Sequence, residues 1–285
     1  FRTIVCNDNT PLWGSRKVFF QEAVEDTHLL RERFFFVQYR NRYIKGHKKA
    51  DLCCEDRPAF AQQVGILHGF LKGHFPTSPK WRIVIADNGS EDQTRPIAEQ
   101  LSQRYDEVHW VSVPRRGVGL ALKTSWGQSD ADIVGYMDLD LATDLTHFLE
   151  AYRAIAEEGN DVVYGSRLHP RSQVIDRPFK REVASRGFNF LLKSYLGVHF
   201  SDGMCGFKFL RRSILPALMQ GGAQNDGWFF STELLTVAEW QNLKLYELPV
   251  KWTDDVTSSK VKIVPLAKRY IRSMIALKKL RPQTV

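Results

Sequence analysis

Two aspartates one residue apart, Asp138 and Asp140, follow an apolar run at positions 133–137. In an extended segment, carboxylates two positions apart point to one face and leave room for a hard cation between them and a phosphate. Such a cation, Mg²⁺ or Mn²⁺, would act as a Lewis acid and neutralise a diphosphate leaving group. An isolated Asp-x-Asp triplet is more often part of a solvated loop, but its position after a strand favours the metal site.

A second acidic turn follows another apolar run. Asp87 comes directly after residues 81–86 and begins a turn that continues through Gly89 and Ser90. Ligands of open α/β sheets bind beyond the carboxyl ends of the strands, which is where both acidic turns are expected. Asp87 has two interpretations: a ligand-binding carboxylate, or the side chain that closes an Asx turn.

The elements that must position these groups alternate regularly after Pro58. Apolar spacing predicts helices at 60–71 and 94–105, one that opens at residues 117–119, and one at 147–158; strands are predicted between them at 81–86, 108–113, 133–137 and 161–164. Beyond residue 181 the pattern changes to helices at 183–196, 212–219 and 233–240 and a strand at 245–252. This order predicts an α/β fold with a doubly wound, mainly parallel sheet in a single domain. Residues 1–56, including Phe34-Phe35-Phe36, show no clean period and are predicted to be an atypical N-terminal segment.

The ordered set of motifs resembles family 2 glycosyltransferases. Residues 87–94 resemble the nucleotide-contacting segment of that family, and Asp138-Leu139-Asp140 stands where the family keeps its metal-binding triplet. The later motifs are similar to the dolichyl/polyprenyl-phosphate hexosyltransferase branch and comprise Gly165-Ser166-Arg167, Arg181 with Ser185 and Asn189, Cys205-Gly206-Phe207-Lys208, Trp228-Phe229-Phe230 with Glu233, and Trp252 followed by Ser259-Lys260. The resemblance covers about residues 60–275 and implies a GT-A (Rossmann-like) fold.

The resemblance also implies a reaction and a donor site. The reaction is a metal-dependent, inverting transfer of a hexose from a nucleotide sugar to a polyprenyl or dolichyl phosphate. Asp138 and Asp140 would bind the metal, while Asp87, Gly89 and Ser90 would contact the nucleotide. Asp138 would also touch the donor, and Asp140 would take part in catalysis.

An acceptor site is implied as well. Arg167, Arg181 and Ser185 would hold the lipid phosphate, and the planar donor fork of arginine suits phosphate oxygens. Arg181 could equally be an ordinary surface charge. A phosphate monoester is already anionic near pH 7, so its attack on the anomeric carbon needs positioning more than a base. Asp202 and Glu233 would orient sugar hydroxyls, or serve as a base for another acceptor.

The sugar is indicated by two departures from the mannosyltransferase pattern. Ala142 stands where mannosyltransferase relatives usually carry Gln, and Cys205 replaces the Ser of a Ser-Gly-Phe motif. Both favour UDP-glucose as the donor, with GDP-mannose as the alternative. Trp228 and Phe229 are more typical of a core than of a substrate platform.

The start of the chain departs furthest from the family. A strand that runs into a Pro-x-Tyr/His-Asn-Glu segment is expected there, and residues 51–56 occupy that place. Glu55 would stand for the Glu of that segment and contact the nucleotide. Residues 1–50 match nothing in the family, either as an extension of this lineage or because of a shifted reading frame upstream of Pro58.

Charge and cysteine usage bear on partners and location. The 285 residues carry 40 basic and 32 acidic side chains, and the net charge of +8 belongs largely to residues 256–285. Residues 261–285 are predicted to form a basic amphipathic helix that follows a glycosyltransferase domain at 57–260 and either docks on anionic lipid or packs on the domain. Neither a transmembrane run nor a secretory signal is found, and the sparse cysteines favour a cytoplasmic location.

These observations predict a peripheral enzyme at the cytosolic membrane face. Two other functions stay open: transfer to a saccharide or protein acceptor, and a non-catalytic nucleotide-binding module. We expect no nucleic-acid partner, because no recognition motif accompanies the basic tail.

Overall fold

The computed structural model describes residues 33–39, 57–90, 93–138, 140–253 and 263–281. Nine strands are assigned there: β1 (Arg33–Tyr39), β2 (Lys80–Asp87), β3 (Val108–Ser112), β4 (Ile133–Asp138), β5 (Val162–Ser166), β6 (Gln173–Ile175), β7 (Phe207–Arg211), β8 (Leu245–Pro249) and β9 (Lys251–Thr253). The helices are α1 (Arg57–His74), α2 (Thr94–Arg104), α3 (Val118–Gly127), α4 (His147–Ala156), α5 (Phe179–Leu196), α6 (Leu215–Gln220), α7 (Phe230–Trp240) and α8 (Ile263–Lys278), with a short 3-10 turn at Arg212–Ile214.

Seven strands form one sheet in the order β3-β2-β1-β4-β7-β5-β8. All neighbours are parallel except β7, which runs antiparallel to β4 and β5. Strands β6 and β9 form a small parallel sheet of their own. The predicted doubly wound, mainly parallel sheet is therefore confirmed.

Two apolar cores cover the two faces of the main sheet. Helices α1, α2 and α4 bury their apolar residues on one face, and helices α3, α5, α6, α7 and α8 bury theirs on the other. The apolar stripes read from the sequence thus become helix–sheet contacts, as a doubly wound fold requires.

The atypical N-terminal segment, in which the sequence shows no clean period, contributes a strand to the sheet, β1 at Arg33–Tyr39. Strand β1 pairs in parallel with β2 on one side and β4 on the other, so it lies in the middle of the sheet. Its Phe34-Phe35-Phe36 run lacks alternation, which is the pattern expected of a parallel strand in the interior of a sheet. The prediction for residues 51–56 lies outside the described residues. The three-part division of the chain otherwise stays a prediction.

The basic tail contains helix α8 where an amphipathic helix was predicted. Tyr270, Met274 and Leu277 of its apolar side are buried in the core next to α7. The Tyr270 ring lies 5.6 Å from that of Phe229 and 5.3 Å from that of Phe188 on α5. Of the two interpretations of the tail, the structure favours packing on the domain for this face. Among the helices that the structure describes, none combines the length and apolar character needed to cross a membrane.

Candidate active site

Three strand ends meet at the centre of the sheet. Tyr39, the last residue of β1, is in register with Ala86 on β2 and with Asp138 on β4. The chain turns from β1 to β2 on one side and reaches β4 on the other, so this is the point where the strand order reverses. Open α/β sheets bind their ligands at such a point. The Asp87 turn and the Asp138 triplet therefore lie on either side of β1.

The carboxylate of Asp138 lies directly against Gly206. The backbone N–H of Asp138 donates to the carbonyl of Gly206 at 3.0 Å. A Cβ atom placed on Gly206 would stand 2.0 Å from Oδ2 of Asp138, far inside contact distance. The glycine of the Cys-Gly-Phe-Lys motif is thus required by the side chain of the Asp-x-Asp motif.

The turn after β4 presents Asp140 at the surface. The Ala142 N–H donates to Oδ1 of Asp140 at 3.1 Å, and Leu141 between them has a φ of 54°. A left-handed leucine is uncommon and is held here by the surroundings. The carbonyl of Ala142 in turn accepts the N–H of Thr253 at 2.9 Å, which ties the turn to β9.

Asp138 and Asp140 suit a hard divalent cation. In the described part of the chain, no group of three or more His, Cys, Asp or Glu side chains forms a complete cage for a metal. Two carboxylates are what Mg²⁺ uses when water and substrate phosphates supply its other ligands. Burial, and then the negative charge of Asp140, raise the pKa of the Asp138 carboxyl. A bound cation would offset that repulsion.

The turn after β2 is built by its own side chains. Oδ1 of Asp87 accepts the N–H of Ser90 at 3.0 Å, and Gly89 has a φ of 65°. The structure therefore shows the Asx turn, and a nucleotide contact by Asp87 remains a prediction. Asn88 was missed by sequence reasoning. Its side chain is buried, its Oδ1 accepts the N–H of Gly117 at 2.8 Å, and its Nδ2 has no hydrogen-bond partner within the described residues.

Arg167 and Asp202 form a buried, two-pronged ion pair. Nε and one terminal nitrogen of Arg167 donate to the two carboxylate oxygens of Asp202 at 2.8 and 3.0 Å. Burial would raise the pKa of Asp202, but the Arg167 charge holds it at about 2. Asp202 is thus fixed as an anion and is a weak base. The guanidinium also lies 5.0 Å from the centre of the Trp252 ring.

Lys208 is buried beneath the loop that carries Asp202. Its ammonium donates to the carbonyls of Cys205 at 2.6 Å and Gly203 at 3.3 Å, and to the hydroxyl of Ser231 at 3.0 Å. Burial lowers its pKa to about 8. The charges of Lys208 and Arg167 both favour the ionised form of Asp138, so the motifs at the ends of β4 and β5 and at the start of β7 meet in one cluster.

The other predicted acceptor residues lie on α5. Arg181 is in the first turn of this helix, where its N–H donates to the carbonyl of Pro178, and Ser185 follows one turn later. Asn189 connects them to the cluster, since its Nδ2 donates to the carbonyl of Ser185 and its Oδ1 accepts the N–H of Gly203, both at 2.9 Å. The structure therefore joins α5 to the Asp202 loop through a buried amide.

Glu233 belongs to a different part of the site. It lies in the first turn of α7, where its Oε2 accepts the N–H of Asn225 at 2.7 Å. Burial raises its pKa to about 7. The loop it holds packs on the start of α3, where a Cβ on Gly119 would stand 2.0 Å from the Asn225 carbonyl. Within the described residues, these contacts link Glu233 to the start of α3, where Gly117 also contacts Asn88, rather than to Asp138.

The remaining residues named from the sequence are Trp228, Phe229, Glu55 and Cys205. Phe229 is buried in the core, whereas Trp228 is 40% exposed. Glu55 lies outside the described residues. Cys205 is a buried free thiol whose pKa burial raises to about 12, so it is inert.

Comparisons with known proteins give the family. The model of the Glycosyl transferase family 2 domain matches residues 65–218. Glycosyltransferase AglD of Haloferax volcanii is 34% identical over 62% of this chain and 28% of its own length. Two dolichyl-phosphate beta-glucosyltransferases are each 28% identical to this chain. The Trichomonas vaginalis protein aligns with 67% of this chain over 60% of its own length, and the Mus musculus protein with 61% of this chain over 56% of its own length. The chain thus spans less than two thirds of these relatives.

The fold is shared with a solved enzyme structure. Mycobacterium tuberculosis glucosyl-3-phosphoglycerate synthase, in complex with Mn²⁺ and uridine-diphosphate-glucose, matches with a TM-score of 0.60 at 15% identity and covers 89% of this chain and 81% of its own. At this identity the likeness concerns the fold, and it confirms the predicted GT-A architecture. Because the family model covers more than half of the sequence, the chain belongs to glycosyl transferase family 2.

Proposed function

We propose that this protein transfers glucose, with inversion, from UDP-glucose to a polyprenyl or dolichyl phosphate. The observation that carries the proposal is the cluster at the strand ends, where the Asp138 carboxylate lies against Gly206 and shares its electrostatic field with Arg167 and Lys208. Carboxylates and cations in one cleft suit a reaction between a metal-bound diphosphate and a phosphate. The names of the Trichomonas and mouse relatives support the same acceptor class.

On the donor side, the chain supplies shape and charge. Asp138 and Asp140 would hold Mg²⁺ or Mn²⁺, which would stabilise the negative charge of the departing diphosphate. The Asx turn of Asp87 fixes Gly89 and Ser90 at the end of β2, and the buried amide of Asn88 anchors that turn to α3 through Gly117. Backbone and side chain together form a rigid rim for the nucleotide.

On the acceptor side, the arginines would position the phosphate. Asp202 holds Arg167 in one orientation, so Arg167 would act as a fixed positive charge rather than as a side chain that closes around the phosphate. Arg181 and Ser185 on α5 would contact the phosphate oxygens directly. The anionic acceptor attacks the anomeric carbon without losing a proton, which agrees with a site whose Asp202 carboxyl has a pKa of about 2.

The choice of glucose depends on Ala142 and Cys205. Ala142 is buried in the segment that connects the Asp140 turn to β9. Mannosyltransferase-like sequences usually carry a longer polar side chain at this position. The names of two relatives and the UDP-glucose complex of the fold neighbour support the same donor. GDP-mannose is the alternative donor. The enzyme would act at the cytosolic face of a membrane, as a peripheral protein.

A donor screen tests the proposal. Radiolabelled UDP-glucose and GDP-mannose are incubated separately with the purified protein, Mn²⁺ and a polyprenyl phosphate, and the product is extracted into an organic phase. We expect organic-phase label from UDP-glucose, dependent on the metal and lost in Asp140→Ala. Label from GDP-mannose alone would transfer the assignment to mannose. Label that stays in the aqueous phase on a saccharide would contradict the lipid acceptor, and no turnover of any donor would contradict catalysis.

A further inference from the structure

Helix α5 carries an apolar stripe on its outer side. Phe179 is 80% exposed and Phe190 is 69% exposed, and Val183 between them is more than half exposed. At 3.6 residues per turn, positions 179, 183 and 190 fall within a sector of roughly 40°. Asn189, Leu192 and Leu196 on the opposite side are buried, so the stripe faces away from the protein. Exposed aromatic side chains in one row mark a contact surface rather than chance exposure.

Basic side chains border this stripe. Residues 179–196 contain four Lys or Arg and one Glu, and residues 263–281 of the adjoining helix α8 contain six Lys or Arg and no acid. The two helices are in contact, since Nζ of Lys278 donates to the carbonyl of Tyr195 at 2.7 Å. Ile271 and Ile275 of α8 are themselves nearly half exposed. An apolar row within a positive field is complementary to an anionic lipid surface.

We propose that the α5 stripe, defined as Phe179, Val183 and Phe190, inserts into the headgroup region of an anionic membrane and docks the protein there. The proposal rests on the proposed function for its purpose, because Arg181 and Ser185 of the same helix are the residues assigned to the lipid phosphate. It differs from docking by the basic tail: the main apolar side of α8 is buried in the core, so α8 contributes charge and α5 contributes the apolar contact.

The orientation follows from the helix. Ser185 lies on the inner half of α5 with the buried Asn189, whose amide connects to the loop of Asp202. The stripe lies on the outer half of the same helix. A membrane in contact with the stripe would therefore present phosphates at the level of α5, within reach of its first two turns and next to the Arg167 cluster. Helix α5 would thus bind the membrane with its outer side and line the acceptor site with its inner side.

Vesicle flotation tests the docking. The full chain is mixed with phosphatidylcholine vesicles with or without phosphatidylglycerol, and the floating fraction is measured for the wild type and for Phe179→Ser/Phe190→Ser. We expect binding to the anionic vesicles and a loss of roughly ten-fold or more in the double variant, because each phenylalanine would lose its apolar contact. Ile66→Ser is the matched control, since Ile66 is 48% exposed on α1, on the other face of the sheet.

A second pair of substitutions separates charge from apolar contact. Arg186→Gln/Lys193→Gln removes two exposed cations from α5, and each cation near the surface contributes about 1 kcal/mol, or roughly five-fold in binding. We expect this variant to weaken binding to anionic vesicles at low salt and to leave the circular dichroism spectrum unchanged. Equal binding by the wild type and the Phe179→Ser/Phe190→Ser variant would overturn the proposal. So would a concentration-dependent dimer that this variant abolishes, because the stripe would then bind a second copy.

The acceptor assay keeps this proposal separate from the proposed function. With a short, water-soluble polyprenyl phosphate, the Phe179→Ser/Phe190→Ser variant is expected to match the wild type, whereas with acceptor embedded in vesicles it should lose activity in proportion to its binding. Failure of the wild type with both acceptors would contradict the proposed function and leave the flotation result standing. Loss of activity by the variant with both acceptors alike would contradict the docking role.

Discussion

The carboxylate of Asp138 and the missing side chain of Gly206 are two parts of one feature. An Asp-x-Asp triplet and a Cys-Gly-Phe-Lys motif can each be read from the sequence, but not their contact, because Gly206 lies 68 positions after Asp138. The antiparallel pairing of β7 with β4 brings them together. The sequence thus predicted both ends of this contact, and only the topology explains why the second end must be glycine.

Gly206→Ala is expected to displace the Asp138 carboxylate and to lower metal-dependent turnover by at least about 10²-fold, since in the proposed reaction the metal would stabilise the leaving diphosphate. The added Cβ would stand 2.0 Å from Oδ2 of Asp138. In steady-state kinetics with varied Mn²⁺, the variant should need a higher Mn²⁺ concentration for half-maximal activity, while the yield of folded protein stays the same. Gly187→Ala on α5 is the control, because its Cβ would meet nothing within 4 Å. Full activity in Gly206→Ala would refute the contact.

Asp202→Ala is expected to destabilise the protein by about 3–5 kcal/mol, because it leaves the Arg167 guanidinium buried without its partner. The pair is enclosed, with side-chain exposures of 14% and 0%. Urea unfolding gives the free energy of unfolding for Asp202→Ala, Arg167→Met and the double variant. The double variant should lose less than the sum of the two single losses. Strict additivity would mean that the two groups do not interact.

Glu233 predicts a pH dependence of stability. Burial raises its pKa from 4.5 to about 7 in the folded protein, so the folded state holds the proton more tightly than the unfolded state does. Its ionisation therefore removes stability as pH rises from about 4.5 to about 7. Relative to wild type, Glu233→Gln should gain roughly 2–3 kcal/mol in free energy of unfolding between pH 5 and pH 8. Parallel stability curves for the two proteins would contradict the assigned environment.

At the level of elements, the strands that carry chemistry were predicted and two of the strands that align them were not. Residues 81–86 and 133–137 have the β-branched character of buried strands, and the structure extends each by only a residue or two. β1 lacks alternation, as expected of an interior strand, and β7 carries a lysine as its second residue. The buried Lys208 is balanced by two carbonyls of the loop just before it and by the hydroxyl of Ser231 on α7, and the contact with α7 could not be predicted from the local pattern.

Helix α5 and the Asp202 loop are joined by one buried amide, which gives a prediction for the element. Asn189→Ala would leave the N–H of Gly203 without its partner, so we expect a loss of about 1–3 kcal/mol in stability. The Asp202 loop should also loosen, which hydrogen exchange of the Gly203 amide would detect. Unchanged protection of that amide would show that the other contacts of the loop, such as the Arg167–Asp202 pair, are enough to hold it.

At the level of the whole molecule, the sheet explains why the site is where it is. One apolar core packs on each face of the sheet, and the strand order reverses at β1. The groups proposed for the donor and for the acceptor would therefore come from opposite halves of the chain: the turns after β2 and β4 on one side, and the loop before β7 with α5 on the other. The alternation of strands and helices predicted this arrangement, while the place of α8 in the core had to be seen.

The central claim is that the ends of β2, β1 and β4 form a donor site for a divalent cation and a nucleoside diphosphate. Electron paramagnetic resonance of Mn²⁺ measures this directly, because the signal of free Mn²⁺ falls when the ion is bound. With UDP present, we expect the wild-type protein to take up Mn²⁺ and Asp138→Asn/Asp140→Asn to leave the free signal at its protein-free level. Equal uptake of Mn²⁺ by the wild type and this double variant would contradict the claim.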